Sequence, residues 1–219
     1  MRFTPMNHLQ QYIPGSPRKP PLFHRLAKAE AAYNLGIAAR ESRNFIEAIK
    51  CFRVVLELLE GGMMTPFPMA LRRYSLVAAA HNYLGLIELD QNKGAEASLA
   101  FDQAIALRRK LAMFFPSERE NKVYLGGALC NRGFATAEID PAQAKQYYLK
   151  SLRILRQPKR TCDCSYWDED RQSWWCSHLE AMAQMTGLAW VYLAPRFIDS
   201  AMTGLASLKP EIHANRLDP

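Results

Sequence analysis

Several things that would assign a function are missing from these 219 residues, and each absence excludes something. No apolar run approaches the roughly 18 residues that a membrane-spanning helix needs, which predicts a soluble protein. Met1 to Pro21 lacks the hydrophobic core of a secretory signal. Cysteine is sparse and odd in number, at 5, and Cys51 and Cys130 fall inside helical patterns, where a reduced thiol acts as a small hydrophobe. A reducing, cytoplasmic setting is therefore expected. Paired carboxylates, a Ser/His/Asp set and a glycine-rich phosphate loop are undetectable, and the 5 histidines have no neighbours that suggest catalysis. The chain reads as a non-enzyme with no cofactor.

Sustained alternation of apolar and polar residues, the mark of a strand, is also missing. Ala and Leu dominate the 49% of residues that are hydrophobic. Both lose little freedom in a helix, whereas β-branched residues favour strands. The charge balance, 28 Lys and Arg against 21 Asp and Glu, gives +7, but the basic residues come in ones, twos and threes. That scatter falls short of a nucleic-acid footprint. An all-α fold is expected.

The chain divides by composition. Residues 1–21 carry 5 prolines and read as an extended arm. From 22 to 157 helix follows helix, with turns at Ser42 to Asn44, Gly61 to Pro68, Asn92 to Gly94, Pro116 and Asp140-Pro141. Ser117 with Glu120 predicts a capping box, and Asp140 before Pro141 predicts a cap followed by a first-turn proline. Ala97, Phe101, Ala104, Leu107 and Leu111 form one apolar stripe at helical spacing.

Self-comparison finds a repeat. Tyr33-Asn34-Leu35-Gly36, Asn82-Tyr83-Leu84-Gly85 and Cys130-Asn131-Arg132-Gly133 align on their glycines, which lie 49 and 48 residues apart. Twelve residues after Gly36 and Gly85 come Ala48 and Ala97, each followed 4 residues later by Phe52 or Phe101. After Gly133 the interval is 11 to Ala144, with Tyr148 next and the missing residue falling at the Asp140-Pro141 turn. Glycine on one helix and alanine on the next would let the two cross closely, with the aromatic plugging the space between neighbouring pairs.

These residues resemble the tetratricopeptide repeat family over roughly residues 26–157, with a period longer than that family's usual ~34 residues, like the long repeats of kinesin light chains. The third unit departs furthest, with Arg132 in place of the leucine. The resemblance implies three antiparallel helix hairpins in a right-handed stack, and a partner polypeptide held in a concave groove. It places Asn34, Asn82 and Asn131 on the groove face, Asn82 being offset by one residue from the other two. An amide there could pair with a peptide backbone. Tyr33, Tyr83, Leu86 and Phe134 would favour apolar or aromatic ligand residues, with Arg40 near the rim. Where some family members grip a chaperone's C-terminal carboxylate with Lys, Asn and Arg, this chain has Tyr33, Ile37, Tyr83, Gly127 and Asn131, so no affinity for such a tail is expected.

Residues 158–208 read as a linker followed by capping helices, the main one from Trp174 to Leu193 and ending before Pro195, with a shorter one near Phe197 to Leu208. Gly187 would be a decayed repeat glycine, and 209–219 a polar tail. Cys162, Cys164, Cys176 and His178 could supply four zinc ligands, although single-residue spacers make awkward chelates, and a thiol-bearing loop is the plainer reading. Trp167, Trp174 and Trp175 beside Asp168, Glu169 and Asp170 suit either a partner contact or packing of the cap. Arg72-Arg73 and Arg108-Arg109 are expected on a solvated face. The sequence thus points to a protein-interaction scaffold. The alternatives are a helical-repeat nucleic-acid binder and an assembly segment of a larger complex.

Overall fold

The structure is a computed structural model that describes residues 20–60, 67–116, 118–155, 166–168, 173–175 and 190–208. It is all-helical apart from one short strand pair. Six helices come first: α1 (Leu22–Glu41), α2 (Phe45–Leu59), α3 (Phe67–Asp90), α4 (Gly94–Phe114), α5 (Arg119–Thr136) and α6 (Pro141–Leu155). Strands β1 (Tyr166–Asp168) and β2 (Ser173–Trp175) pair antiparallel, and helix α7 (Trp190–Ser207) follows. The arm at 1–19, the tail at 209–219, Gly187 and the four candidate zinc ligands lie outside the described residues.

Short turns fold consecutive helices back on one another. Arg43 and Asn92 take left-handed φ values of 58° and 60° just past α1 and α3. In each turn the third N–H past the helix reaches five residues back, Asn44 to the Ala39 carbonyl and Lys93 to that of Glu88, so that orphan carbonyls are capped. The turn after α5 lacks this αL residue; Asp140 N–H instead reaches the Thr136 carbonyl, four residues back. The residue missing from the third unit is missing here. Asp140 then caps α6 by accepting from Gln143 N–H at 2.9 Å, as its sequence predicts. The capping box expected at Ser117 falls on a residue outside the described ones; α5 begins at Arg119, with Glu118 as N-cap and no cap bond from the Glu118 side chain.

Contacts fix the pairing. Arg25 Nη1 donates to the Leu58 carbonyl and Gly36 meets Phe52, so α1 and α2 run antiparallel. Gly85 against Phe101, with Arg108 on the Ser75 carbonyl, orders α3 and α4 likewise. Gly133 against Tyr148, with Ser151 on the Gly126 carbonyl, does so for α5 and α6. Ala48, Ala97, Ala144, Phe52, Phe101 and Tyr148 are all fully buried. The glycines, however, face the rings. A Cβ on Gly36, Gly85 or Gly133 would come within 2.8, 2.7 or 2.6 Å of the aromatic ring of its own pair. The glycine makes room for a ring whose burial is worth ~2–3 kcal/mol.

Two expectations fail beyond α6. The predicted helix does not begin at Trp174, because Trp174 pairs with Trp167 in the two-stranded ladder; residues 176–189 of its expected span lie outside the described residues. Tyr and Trp on both arms are strand-favouring residues, a signal that outweighs the helical spacing read across them. The predicted stop before Pro195 also fails, since α7 runs from Trp190 through it. Ile198 and Ala201 of α7 are fully buried with Val123, Cys130 and Tyr148, and that packing with α5 and α6 overrides a local preference. The basic pairs are split too. Arg73 and Arg108 are buried, at 5% and 6% exposure, while Arg72 and Arg109 are exposed. A buried guanidinium is tolerated where carbonyls receive it, and Arg73 Nε donates to the Leu59 carbonyl at the end of α2 at 2.7 Å.

Candidate functional site

One helix from each pair contributes to a single cavity of about 590 Å³. Its walls come from α1, α3 and α5, with Ala104 and Arg108 reaching in from α4 and Phe197 from α7. The α1 and α3 walls are tied together by ion pairs. Arg40 donates to Asp90 at 2.8 Å, and Arg72 makes a two-pronged contact with Glu30. Aromatic packing holds the same seam: Phe52 stacks on Tyr83 at 5.1 Å, and Tyr33 meets Tyr83 edge-on at 5.7 Å. The ring that fills the first pair thus also positions a tyrosine of the next.

Tyr33, Arg40, Asn82, Tyr83, Leu86 and Asn131, six of the residues read from sequence, line this cavity. Asn82 and Asn131 meet directly, with Asn131 Nδ2 donating to Asn82 Oδ1 at 3.0 Å. This is an amide bridge between α3 and α5, and it leaves the remaining donors and acceptor of the pair for other partners. Asn34 is exposed and lies outside the lining, on the face that also exposes Leu35. Phe134 is likewise outside it, edge-on to Tyr148 at 5.3 Å. The row of three asparagines therefore becomes one bridged pair. The offset at Asn82 does not separate it from Asn131, because the two lie on neighbouring parallel helices whose turns bring different registers together.

Among the contributors that escaped the sequence reading are Arg108, Tyr124, Glu120 and Phe197. Arg108 sits in the apolar stripe of α4, where Leu107 was expected; Leu107 is only half-buried. Spacing of 4 from Ala104 and 3 to Leu111 suits position 108 as well as it suits 107, and residue type alone had favoured the leucine. The Arg108 guanidinium lies over the Tyr124 ring, 4.5 Å from its centroid, and Nη2 donates to the Ser75 carbonyl at 3.3 Å. Burial lowers its pKa from the ordinary guanidinium value, with Tyr124, Glu120 and Tyr33 opposing that shift. Burial also raises Tyr33 well above the usual phenol range, helped by Tyr83 and Tyr124. Tyr124 moves the same way through burial and Glu120. At neutral pH Tyr33 and Tyr124 are therefore protonated beside a buried cation.

Phe197 enters because position 127 is glycine: a Cβ there would lie 2.6 Å from the Phe197 ring. The α7 ring thus closes the α5 end of the cavity. Among the described residues no group of His, Cys, Asp and Glu is placed to hold a metal ion, and no helix is long and apolar enough to cross a membrane. Comparison with protein-family models, curated proteins and solved structures finds no match to this chain.

Proposed function

We propose that this chain is a tetratricopeptide-type helical scaffold that binds a segment of a partner protein against the α1, α3 and α5 face. The reading rests chiefly on one observation: the first helix of every pair, and α7 after them, contributes to one continuous cavity. A surface built from one helix per repeat is what repeat proteins present to extended ligands. The pairing of helices, the rings at the three repeat glycines and the recurrence of the αL turn at Arg43 and Asn92 support the family assignment. The lining favours a peptide with apolar or aromatic side chains flanked by backbone amides, which Asn82 and Asn131 can receive. Binding, without bond making or breaking, is the role we assign.

The nucleic-acid reading is disfavoured by where the arginines go. Arg40, Arg72 and Arg132 are engaged by Asp90, Glu30 and Asp102, while Arg73 and Arg108 are buried. A peptide array probed with the wild-type protein and with Ala79→Trp tests the proposal, since Ala79 lines the cavity and a Trp there would fill it. Selection of discrete peptides by wild type and their loss in the folded variant is the expected result. Equal retention by both proteins would remove the cavity from peptide binding.

A further inference from the structure

Arg108 is the feature of the cavity that packing alone does not explain. It is 6% exposed, and it takes part in no ion pair among the described residues. Its neighbours in the cavity wall are differently placed: Arg40 and Arg72 each have a carboxylate, whereas Arg108 has one long hydrogen bond to Ser75 and a ring face. Glu120 also lines the cavity, yet it is exposed and its hydrogen bond goes to Tyr124. A guanidinium has five donors in a planar fork, and taking it out of water without a counter-charge is costly. A carboxylate entering from the cavity would use that fork bidentately and recover much of the cost.

We infer that the cavity is a binding site for a small carboxylic acid, with its carboxylate on Arg108 and an apolar or aromatic body against Leu76 and Phe197. Three observations define this ligand. Arg108 is the one guanidinium of the cavity wall with no carboxylate at ion-pair distance among the described residues, Glu120 acting on it only from farther off, and a single such fork matches a monocarboxylate better than a phosphate dianion. Tyr33, whose phenol burial keeps protonated at neutral pH, lines the same cavity and offers a hydroxyl donor to the same anion. The space, about 590 Å³, falls within the ~300–1,000 Å³ of small-molecule sites, and Phe197 lies across its α5 end, against Gly127. None of this depends on the partner-peptide reading, and a small acid in this place would compete with such a peptide.

The experiment uses the full chain, with N-acetyl-phenylalanine and octanoic acid as probes and their primary amides as neutral controls, followed by calorimetry. Each acid is expected to bind at least ~10-fold more tightly than its amide, a preference that Arg108→Gln removes. Because Arg108→Gln could also unfold the protein, circular dichroism is recorded first. Leu76→Trp, which keeps the cation and fills the space for the apolar body, is the second variant and should lose both acids. Acids and amides bound equally, a preference that survives Arg108→Gln in folded protein, or no binding of either acid would each overturn the inference. Binding of acetylated tetrapeptides with a free C-terminal carboxylate, with both small acids silent, would also overturn it and return Arg108 to a partner chain. The peptide array with Ala79→Trp is read separately, so either conclusion can fail alone.

Discussion

Phe52 and Tyr148 hold the same place in the first and third helix pairs, yet they are enclosed differently. Phe52 lies under Gly36 and is closed on the outside by a flat stack on Tyr83 of the next pair. Tyr148 lies under Gly133 and is closed by Gly204 of α7, where a Cβ would come within 2.4 Å of the ring. No further pair follows α6 among the described residues, and a single helix covers that face. The tyrosine also carries a buried hydroxyl that has no hydrogen-bond partner among the described residues. One local rule, glycine over ring, is thus served by a side chain in the middle of the stack and by a second glycine at its end. An internal unit borrows its closure from a neighbour of its own kind, whereas a terminal unit needs an element made for it.

The largest test of that difference is Gly204→Leu against Gly36→Ala. At position 204 the ring is held between two glycine-bearing backbones and cannot retreat, so overpacking should cost near the upper end of ~1–3 kcal/mol and loosen α7. At Gly36 one added carbon meets the edge of a ring bounded by the side chains of Tyr33 and Tyr83, which can give where a backbone cannot, and about 1 kcal/mol is expected. Urea midpoints for the two variants check this, and equal losses would mean that the two rings are enclosed alike. Asp140→Ala comes next, because its cap on Gln143 N–H is the only side-chain cap of the third pair among the described residues. It should lower stability by ~1 kcal/mol in the same titration.

The third pair also contains Cys130, which is fully buried, and burial pushes its thiol up to about 12 from an ordinary value of 9.0. The folded value is the higher one. Its contribution is therefore intact below pH 9 and is lost as pH rises toward 12, because only the unfolded thiol ionises in that window. Between pH 9 and 10 wild type should lose about 1 kcal/mol more than Cys130→Ser, as read from denaturation at each pH; parallel curves would count against a buried thiol. The smallest effect is expected from Tyr148→Phe. Removing an unpartnered buried hydroxyl should leave the melting temperature unchanged or raise it by the equivalent of up to ~1 kcal/mol. A lowered melting temperature would show that the hydroxyl has a partner.

Much of the candidate site was legible because the three units align on glycines 49 and 48 residues apart and the resemblance to tetratricopeptide repeats implies which helix face lines a groove. Tyr33, Asn82, Tyr83, Leu86, Arg40 and Asn131 were found in this way, and all six line the cavity. Asn34 was not distinguished from them, since a helix face is wide and one residue either way rotates a side chain by about 100°. Arg108 was misjudged for a related reason: 107 and 108 share the spacing, and charge was read as exposure.

What the sequence determined by itself is local: helical character from Ala and Leu, turns at Ser42 to Asn44, Asn92 to Gly94 and Asp140, and the spacing of glycine, alanine and aromatic within each pair, though not that the ring and not the alanine lies under the glycine. These depend on neighbours in the chain or on a partner one turn away across a tight hairpin. Tertiary structure decided the rest. Aromatic residues near 167 and 174 joined a strand ladder instead of a helix, Pro195 was carried inside α7, and an arginine took a leucine's place in the wall of the cavity. Each of those outcomes weighs a local preference of about 1–3 kcal/mol against burial contributed by residues far away in sequence, and no window of sequence contains both sides of that balance.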